Sequence, residues 1–296
     1  MKQTVLMAVA AVPLALGAQD TTSAKASLLA ADRAAASGRV ALALSVAPRA
    51  TVLLPGRNVL RGTAEYRQPL GAFLVDVRND RAWTPVHAVV SRDGTLGCTT
   101  GVLHLASADS TKPSTGRYLA CWRHPRAGGW VMVALDMTQA PPQVRALPDS
   151  ISGAPASSGV AAPRRLRAAQ EVADADRAFA QFSADSGGPA GAFSRWIAAD
   201  GMMLGARAVP VRGPEQAKQA FASFPATGRF EWAPIDSLSV ASRDGSLGFT
   251  IGEARVAATP SDVSYSKYLT VWRREPDGRY KFIFDIGSDR PAPSAK

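Results

Sequence analysis

Two aspartates, Asp32 and Asp176, are the residues with the clearest potential for acid–base chemistry. Each lies on the apolar face of a segment with helical periodicity, at the start of one of two similar stretches of the chain. A carboxylate in an apolar cavity has a raised pKa and can act as a general base or acid. Alternatively, each pairs with Arg33 or Arg177 or bonds to a neighbouring strand, which is favoured because buried charges are usually paired. No catalytic residue is assigned, and these two aspartates are the candidates.

Aromatic side chains recur at matching positions on segments predicted as strands, and each stretch ends with a further aspartate. These residues could line a pocket for an apolar or aromatic ligand. More often such residues belong to the core, because aromatic side chains bury large areas. The candidate pocket residues are Trp83, Tyr118, Trp122, Trp232, Tyr268, Trp272, Asp136 and Asp285.

The chain has two cysteines, Cys98 and Cys121, which align with Phe249 and Val271 of the second stretch. The apolar replacements mark these positions as core. The two cysteines are either buried thiols or the ends of a cross-strand disulfide, since their strands should pair as a hairpin.

The three histidines, His87, His104 and His124, all lie in the first stretch and have no histidine counterpart in the second. Their spacing fits no compact zinc motif. We therefore expect no metal site and no cofactor.

The two stretches are copies of one domain. Residues 91–101 return as residues 242–252, about 150 positions later, which is too long a period for a solenoid repeat. Residues 135–137 are matched with residues 284–286 near the end of each copy. We therefore divide the chain into copy one, residues 23–138, and copy two, residues 164–288.

The remaining segments have distinct compositions. Residues 1–18 combine a lysine, an apolar run and small residues, which predicts a secretory signal peptide cleaved near Ala18. Residues 139–163 are rich in Pro, Ala, Ser and Gly and are predicted as a linker. Residues 289–296 are predicted as a disordered tail. We expect the mature protein to be secreted or periplasmic.

The net charge of +10 could favour anionic partners, but most arginines are scattered along the chain. They are not interleaved with aromatic residues in the way that base stacking requires, so we do not expect nucleic-acid binding. No segment is long and apolar enough for a membrane span.

Each copy begins with helical patterns and continues with long strands, which predicts an α+β fold with an antiparallel sheet. The strands at residues 268–272 and 280–284 carry large apolar groups on both faces. A sheet with one face in water alternates more cleanly. We therefore expect each domain's own helices to cover one face and the sister copy to cover the other, as an intrachain pseudo-dimer.

The order of three helices and a sheet carries recurring motifs: Trp-x-Pro, Ser-Arg-Asp-Gly-x-Leu-Gly-x-Thr-x-Gly, Tyr-Leu-x-x-Trp-Arg and, in copy two, Asp-Ile-Gly. This pattern resembles the NTF2-like superfamily, and within it the SnoaL-like or DUF4440 group. The resemblance implies two tandem cone domains, each with about three helices on a curved antiparallel sheet and a pocket at the open end. It implies no particular reaction, because the superfamily includes isomerases, cyclases, dehydratases, transport adaptors and ligand-binding proteins.

Our first hypothesis is a non-catalytic, exported protein that binds a small apolar molecule or a protein partner. The alternative is a SnoaL-like isomerase, cyclase or hydrolase of small organic molecules, with Asp32 or Asp176 as general base. In a third interpretation, one copy merely completes the core of the other. An unpaired, desolvated aspartate in a pocket would favour the enzyme, and a cavity filled by aromatic side chains would favour the scaffold.

Overall fold

The computed structural model describes residues 21–74, 82–105, 114–139, 165–205 and 209–294. The predicted signal peptide and, apart from Gln139, the predicted linker lie outside these ranges. No helix within them is long and apolar enough to cross a membrane.

Within its described residues, copy one has three helices and a six-stranded sheet in the order β2-β1-β6-β5-β4-β3. All neighbouring strands are antiparallel except β1 and β6, which are parallel. The elements are α1 (Thr21–Ala35), α2 (Arg39–Ser45), β1 (Val46–Leu53), β2 (Leu60–Arg61), α3 (Gly62–Phe73), β3 (Trp83–Val90), β4 (Leu96–Leu105), β5 (Ser114–Arg123) and β6 (Val131–Gln139).

Copy two repeats this arrangement with the sheet order β10-β11-β12-β13-β7-β8, and β9 also pairs with β11. The elements are α4 (Arg165–Phe182), a π-helical turn (Ser183–Gly187), α5 (Gly188–Trp196), β7 (Ile197–Met203), β8 (Val211–Arg212), α6 (Gly213–Ala220), β9 (Arg229–Pro234), a 3₁₀ turn (Asp236–Leu238), β10 (Val240–Ala241), β11 (Leu247–Thr259), β12 (Asp262–Arg274) and β13 (Tyr280–Asp289). The predicted α+β class with two repeated domains is therefore confirmed.

Helix α4 shows how the sequence directs this packing. Ala168, Val172, Asp176 and Phe179 are buried, and their spacing of three or four residues places them on one face of the helix. That face packs against the sheet of copy two, so the only charged residue in the stripe, Asp176, points into the domain.

The second faces of the two sheets contribute to one common apolar cluster. It contains Leu119 and Ala134 of copy one together with Phe249, Val271 and Phe284 of copy two. Each copy also has its own core between helices and sheet. This explains why the strands are apolar on both faces.

The repeated Ser-Arg-Asp-Gly turns also meet. The Arg92 backbone N–H donates to Ser246 Oγ at 2.9 Å, and the Arg243 N–H donates to Thr95 Oγ1 at 3.2 Å. Arg92 is equivalent to Arg243, and Thr95 is equivalent to Ser246, so each copy donates the same bond to the other. The longest sequence match within the chain is therefore also a point of contact between its copies.

The boundary predicted for the C-terminal tail is too early. Asp289 pairs with Ser266 as the last residue of β13, and the Arg290 N–H donates to the Tyr265 carbonyl at 3.0 Å. Arg290 also forms an ion pair with Glu253 at 3.1 Å. Strand pairing therefore extends the folded part of copy two into the Pro- and Ala-rich segment that was predicted as the tail.

Candidate functional site

Asp32 is held by two strands of copy one. The Trp83 indole N–H donates to its Oδ1 at 2.8 Å, and the Tyr118 hydroxyl donates to its Oδ2 at 2.6 Å. Burial raises the pKa of Asp32 to about 6, while hydrogen bonds from Tyr118, Trp83 and Thr99 act to lower it. This fully buried carboxylate ties α1 to β3 and β5.

Asp176 has the same partners in copy two. The Trp232 indole N–H donates to its Oδ1 at 3.2 Å, and the Tyr268 hydroxyl donates to its Oδ2 at 3.0 Å. Burial raises the pKa of Asp176 to about 7, against hydrogen bonds from Thr250, Tyr268 and Trp232 that lower it. Arg177, one of the partners considered from the sequence, instead pairs with carboxylates on Asp174 and Asp236.

Thr99 and Thr250, which bond to the two aspartates, each accept a hydrogen bond from a second tryptophan. The Trp122 indole N–H donates to Thr99 Oγ1, and the Trp272 indole N–H donates to Thr250 Oγ1, both at 2.9 Å. Both indoles are buried in the cores of their domains. The aromatic residues predicted from their recurrence thus form duplicated hydrogen-bond networks around an aspartate.

The match between Asp136 and Asp285 is wrong by one residue. Tyr118 pairs with Met137 across β5 and β6, whereas Tyr268 pairs with Gly287 across β12 and β13. Asp285 is therefore equivalent to Leu135, and Asp136 is equivalent to Ile286. Since side chains alternate between the two faces of a strand, the two aspartates lie on opposite faces of their sheets.

Asp136 lies on the face shared by the two copies. The Ser288 hydroxyl of copy two donates to its Oδ1 at 3.1 Å, and the Lys267 ammonium donates to Ser288 Oγ at 2.9 Å. Burial raises the pKa of Asp136 and lowers that of Lys267, and their mutual attraction opposes both changes. Asp136 is therefore a contact between the copies and does not line the pocket predicted for it.

Asp285 faces the interior of copy two, where it lines a cavity of about 80 Å³. The Thr270 hydroxyl donates to its Oδ1 at 2.6 Å, and this is the one hydrogen bond to the carboxylate that we find among the described residues. Burial raises the pKa of Asp285 to about 6. The other residues around the cavity are Asp176, Phe179, Phe193, Phe230, Trp232, Ala254, Ser266, Tyr268, Thr270 and Gly287.

Copy one has larger apolar side chains at three of the equivalent positions. Leu103 matches Ala254, since these residues pair with Trp83 and Trp232 respectively. By the same register Leu135 matches Asp285 and Met137 matches Gly287. The three larger side chains are fully buried in the copy-one core. The cone that is partly open in copy two is therefore packed with apolar atoms in copy one.

The predicted pocket residues consequently separate into three groups. Trp232, Tyr268 and Asp285 line the cavity, while Trp83, Tyr118, Trp122 and Trp272 are core residues. Asp136 is the interface residue described above. The prediction missed Ser266 and Thr270, although their even spacing from Tyr268 on β12 places them on the same strand face.

Cys98 and Cys121 lie directly opposite each other on β4 and β5 and are joined by a disulfide with an S–S distance of 2.16 Å. Both belong to the cluster shared by the two copies, on the sheet face that does not form the copy-one cone. Within the described ranges, no group of three or more His, Cys, Asp and Glu residues could hold a metal ion.

No protein-family model and no curated protein matches the chain. Solved structures with a similar fold include a putative ketosteroid isomerase from Parabacteroides distasonis, 18% identical, which covers 38% of this chain and 84% of its own with a TM-score of 0.31. An NTF2-like protein of unknown function from Pseudomonas putida is 15% identical and covers 45% of this chain and 99% of its own, with a TM-score of 0.35. An NTF2-like superfamily protein from Salmonella enterica is 11% identical and covers 44% of this chain and 94% of its own, with a TM-score of 0.34.

Each of these structures spans less than half of the chain, about the length of one copy. Both copies have the same arrangement of helices beside a mostly antiparallel sheet.

Proposed function

We propose that the protein binds a small molecule in the cone of copy two, and that copy one is a filled domain that covers the sheet of copy two. The observation that carries this proposal is the cavity beside Asp176 and Asp285, at positions that copy one fills with leucine and methionine side chains. Natural cores rarely leave space unfilled, so a cavity that is lined by two carboxylates and retained in one of two copies points to an occupant.

The lining defines the chemistry of that occupant. Asp285 and Asp176 accept hydrogen bonds when ionised, and Phe179, Phe193 and Trp232 offer aromatic surface. We therefore propose a ligand with a hydrogen-bond-donating head, such as a hydroxyl or amine, and an apolar body. A cavity of about 80 Å³ admits only a few non-hydrogen atoms, since one water takes roughly 30 Å³ of the liquid.

Native mass spectrometry of the purified protein tests this proposal. Wild-type protein should carry a reproducible adduct that is lost on denaturation. Gly287→Met should lose the adduct and remain folded, because the new side chain copies Met137 and its Cβ would lie 3.4 Å from the nearest atom. Gly129→Met, at an open surface glycine, is the matched control. A bare wild-type mass, or an adduct that persists in Gly287→Met, would overturn the proposal.

A catalytic role for the same cavity has one observation in its favour. The pKa values of Asp285 and Asp176 are raised to about 6 and about 7, near the range in which a carboxyl group exchanges protons efficiently at neutral pH. Asp285 is the better general base because Thr270 is its one described donor, whereas Asp176 is held by Tyr268, Trp232 and Thr250. The bound molecule should then exchange carbon-bound hydrogen in D₂O, and Asp285→Asn should abolish that exchange.

We also propose that the two copies form an intrachain pseudo-dimer and that the protein is secreted or periplasmic. The common apolar cluster and the reciprocal turn bonds support the first statement. The signal-like residues 1–18 and the disulfide support the second, because disulfides persist in oxidising compartments. An exported protein that retains its first 18 residues would contradict the proposed processing.

A further inference from the structure

A second cavity, of about 310 Å³, lies between the two copies. Its apolar wall includes Leu96, Val131 and Val133 of copy one and Ala241 of copy two. Arg123 and Arg243 line the same cavity, one from each copy. This volume lies at the lower end of the range typical of small-molecule sites, and it is several times larger than the cavity beside Asp285.

The equivalent arginine of copy two has carboxylate partners. Arg273 matches Arg123, because the two pair with Leu247 and Leu96 in the same register. Both terminal nitrogens of Arg273 bond to Asp200 at 2.9 Å, and its Nε bonds to Glu275 at 2.8 Å. The Arg273 guanidinium is therefore held by two carboxylates of its own domain.

Copy one lacks both carboxylates. Val46 and Ile197 pair with equivalent residues, so the position of Asp200 is taken by Arg49. The position of Glu275 is taken by Pro125. Within the part of the chain that the structure describes, Arg123 and Arg243 form no ion pair. A partly buried guanidinium gains most from a carboxylate that binds it through two parallel hydrogen bonds.

We propose that this interdomain cavity binds a small carboxylate with an apolar chain. The carboxylate takes the place that Asp200 and Glu275 occupy beside Arg273, and Arg243 approaches it from the opposite copy. The chain lies against Leu96, Val131, Val133 and Ala241. The net charge of +10 attracts such an anion to the protein. The site is independent of the cavity beside Asp285, whose carboxylates would repel the same ligand.

Calorimetric titration with octanoate tests the proposal. Wild-type protein should bind one octanoate per chain saturably, and octanol, with the same chain but no charge, should bind at least tenfold more weakly. Arg123→Gln and Arg243→Gln should each weaken octanoate binding by at least tenfold. Arg126→Gln, in the exposed turn beside the site, is the matched control and should leave binding unchanged.

Two further variants distinguish binding in this cavity from binding in the cavity beside Asp285 and from attraction by the arginines alone. Val133→Phe should block octanoate by filling the interdomain cavity while retaining both arginines. Gly287→Met should bind octanoate like the wild type, because it changes only the cavity beside Asp285. Equal affinity for octanol, undiminished binding by Arg123→Gln or Val133→Phe, or loss of octanoate binding in Gly287→Met would each overturn the proposal.

Discussion

Copy one and copy two share a hydrogen-bond network and differ in what surrounds it. Asp32 and Asp176 accept hydrogen bonds from a tryptophan and a tyrosine in the same geometry. In the part of the chain that the structure describes, copy two combines its aspartate with a second carboxylate, small neighbours and an open volume, whereas copy one has buried leucine and methionine side chains at the equivalent positions. The shared network is therefore part of the scaffold, and the residues that differ around it identify the candidate site.

The interdomain cavity shows the same kind of difference between equivalent residues of the two copies. Arg123 and Arg273 occupy equivalent positions, but among the described residues only Arg273 has carboxylate partners from its own domain. In a duplicated protein, one copy acts as an internal reference for the other. A position that is satisfied in one copy and open in the other is a better candidate for binding than a position that is the same in both.

The largest effect is expected from opening the filled cone. Met137→Gly removes a fully buried side chain and should lower the free energy of unfolding by roughly 3–6 kcal/mol, the sum of a large-to-small core loss and the cost of glycine in a strand. Urea unfolding measures this change. Gly287→Met should change stability by less than about 1 kcal/mol, since it enters existing space. A similar loss of unfolding free energy in both variants would contradict the conclusion that the cone of copy one is filled and that of copy two is partly open.

The shared cluster should couple the two copies. Phe249→Ala should lower the free energy of unfolding by about 3–5 kcal/mol, because Phe249 is buried between the sheets. Unfolding should remain a single transition when followed by fluorescence and by circular dichroism. Leu44→Ala, at a side chain that is 81% exposed, should change stability by less than about 0.5 kcal/mol. Separate transitions for the two copies would argue against the pseudo-dimer.

The disulfide exists in copy one alone and closes a segment with a separation of 23 residues. Removing it by replacing Cys98 and Cys121 with alanine should cost about 2–4 kcal/mol under oxidising conditions, through the greater freedom of the unfolded chain. A reducing agent should destabilise the wild-type protein by a similar amount and leave the double variant unchanged. If reduction affects both proteins equally, the disulfide does not contribute as described.

Protonation should affect stability in the same direction in both copies. The pKa values of Asp32 and Asp176 are raised from 3.8 to about 6 and about 7 in the folded protein, so the folded state binds more protons than the unfolded state between these values. Their contribution to stability is therefore full below about pH 4 and is lost as the pH rises through the folded pKa.

Urea unfolding at a series of pH values measures this dependence. Asp32→Asn should reduce the fall in stability between about pH 4 and 6 by up to about 3 kcal/mol, and Asp176→Asn should reduce it between about pH 4 and 7 by up to about 4 kcal/mol. A fall in stability that neither variant reduces would show that other groups govern it.

The sequence was sufficient to predict the duplication, the α+β class and the inward placement of Asp32 and Asp176. The repeat is found by comparing the sequence with itself, and helical periodicity is a local signal, so neither depends on knowing the folded structure. A hydrogen bond between each aspartate and a neighbouring strand was one of the predicted alternatives, and the structure has it. The donors themselves were not predicted, because Trp83 and Tyr118 come from strands that only the folded sheet brings beside α1.

The cavity beside Asp285 was not predicted, because it depends on the register between neighbouring strands. The similar tripeptides at residues 135–137 and 284–286 suggested equivalent aspartates, but the strand pairs differ from that match by one residue, and a shift of one residue reverses every side chain. The contrast of Leu103 and Met137 with Ala254 and Gly287 becomes visible only after Tyr118 and Tyr268 have been aligned through their partners.

Electron density in the two cones of a single crystal tests the central claim most directly, because each copy serves as the control for the other. We expect ordered density for a ligand or for water beside Asp285 and Thr270 in copy two, and continuous side-chain packing around Leu135 and Met137 in copy one. An unfilled volume of similar size in copy one, or a closed cone in copy two, would contradict the account.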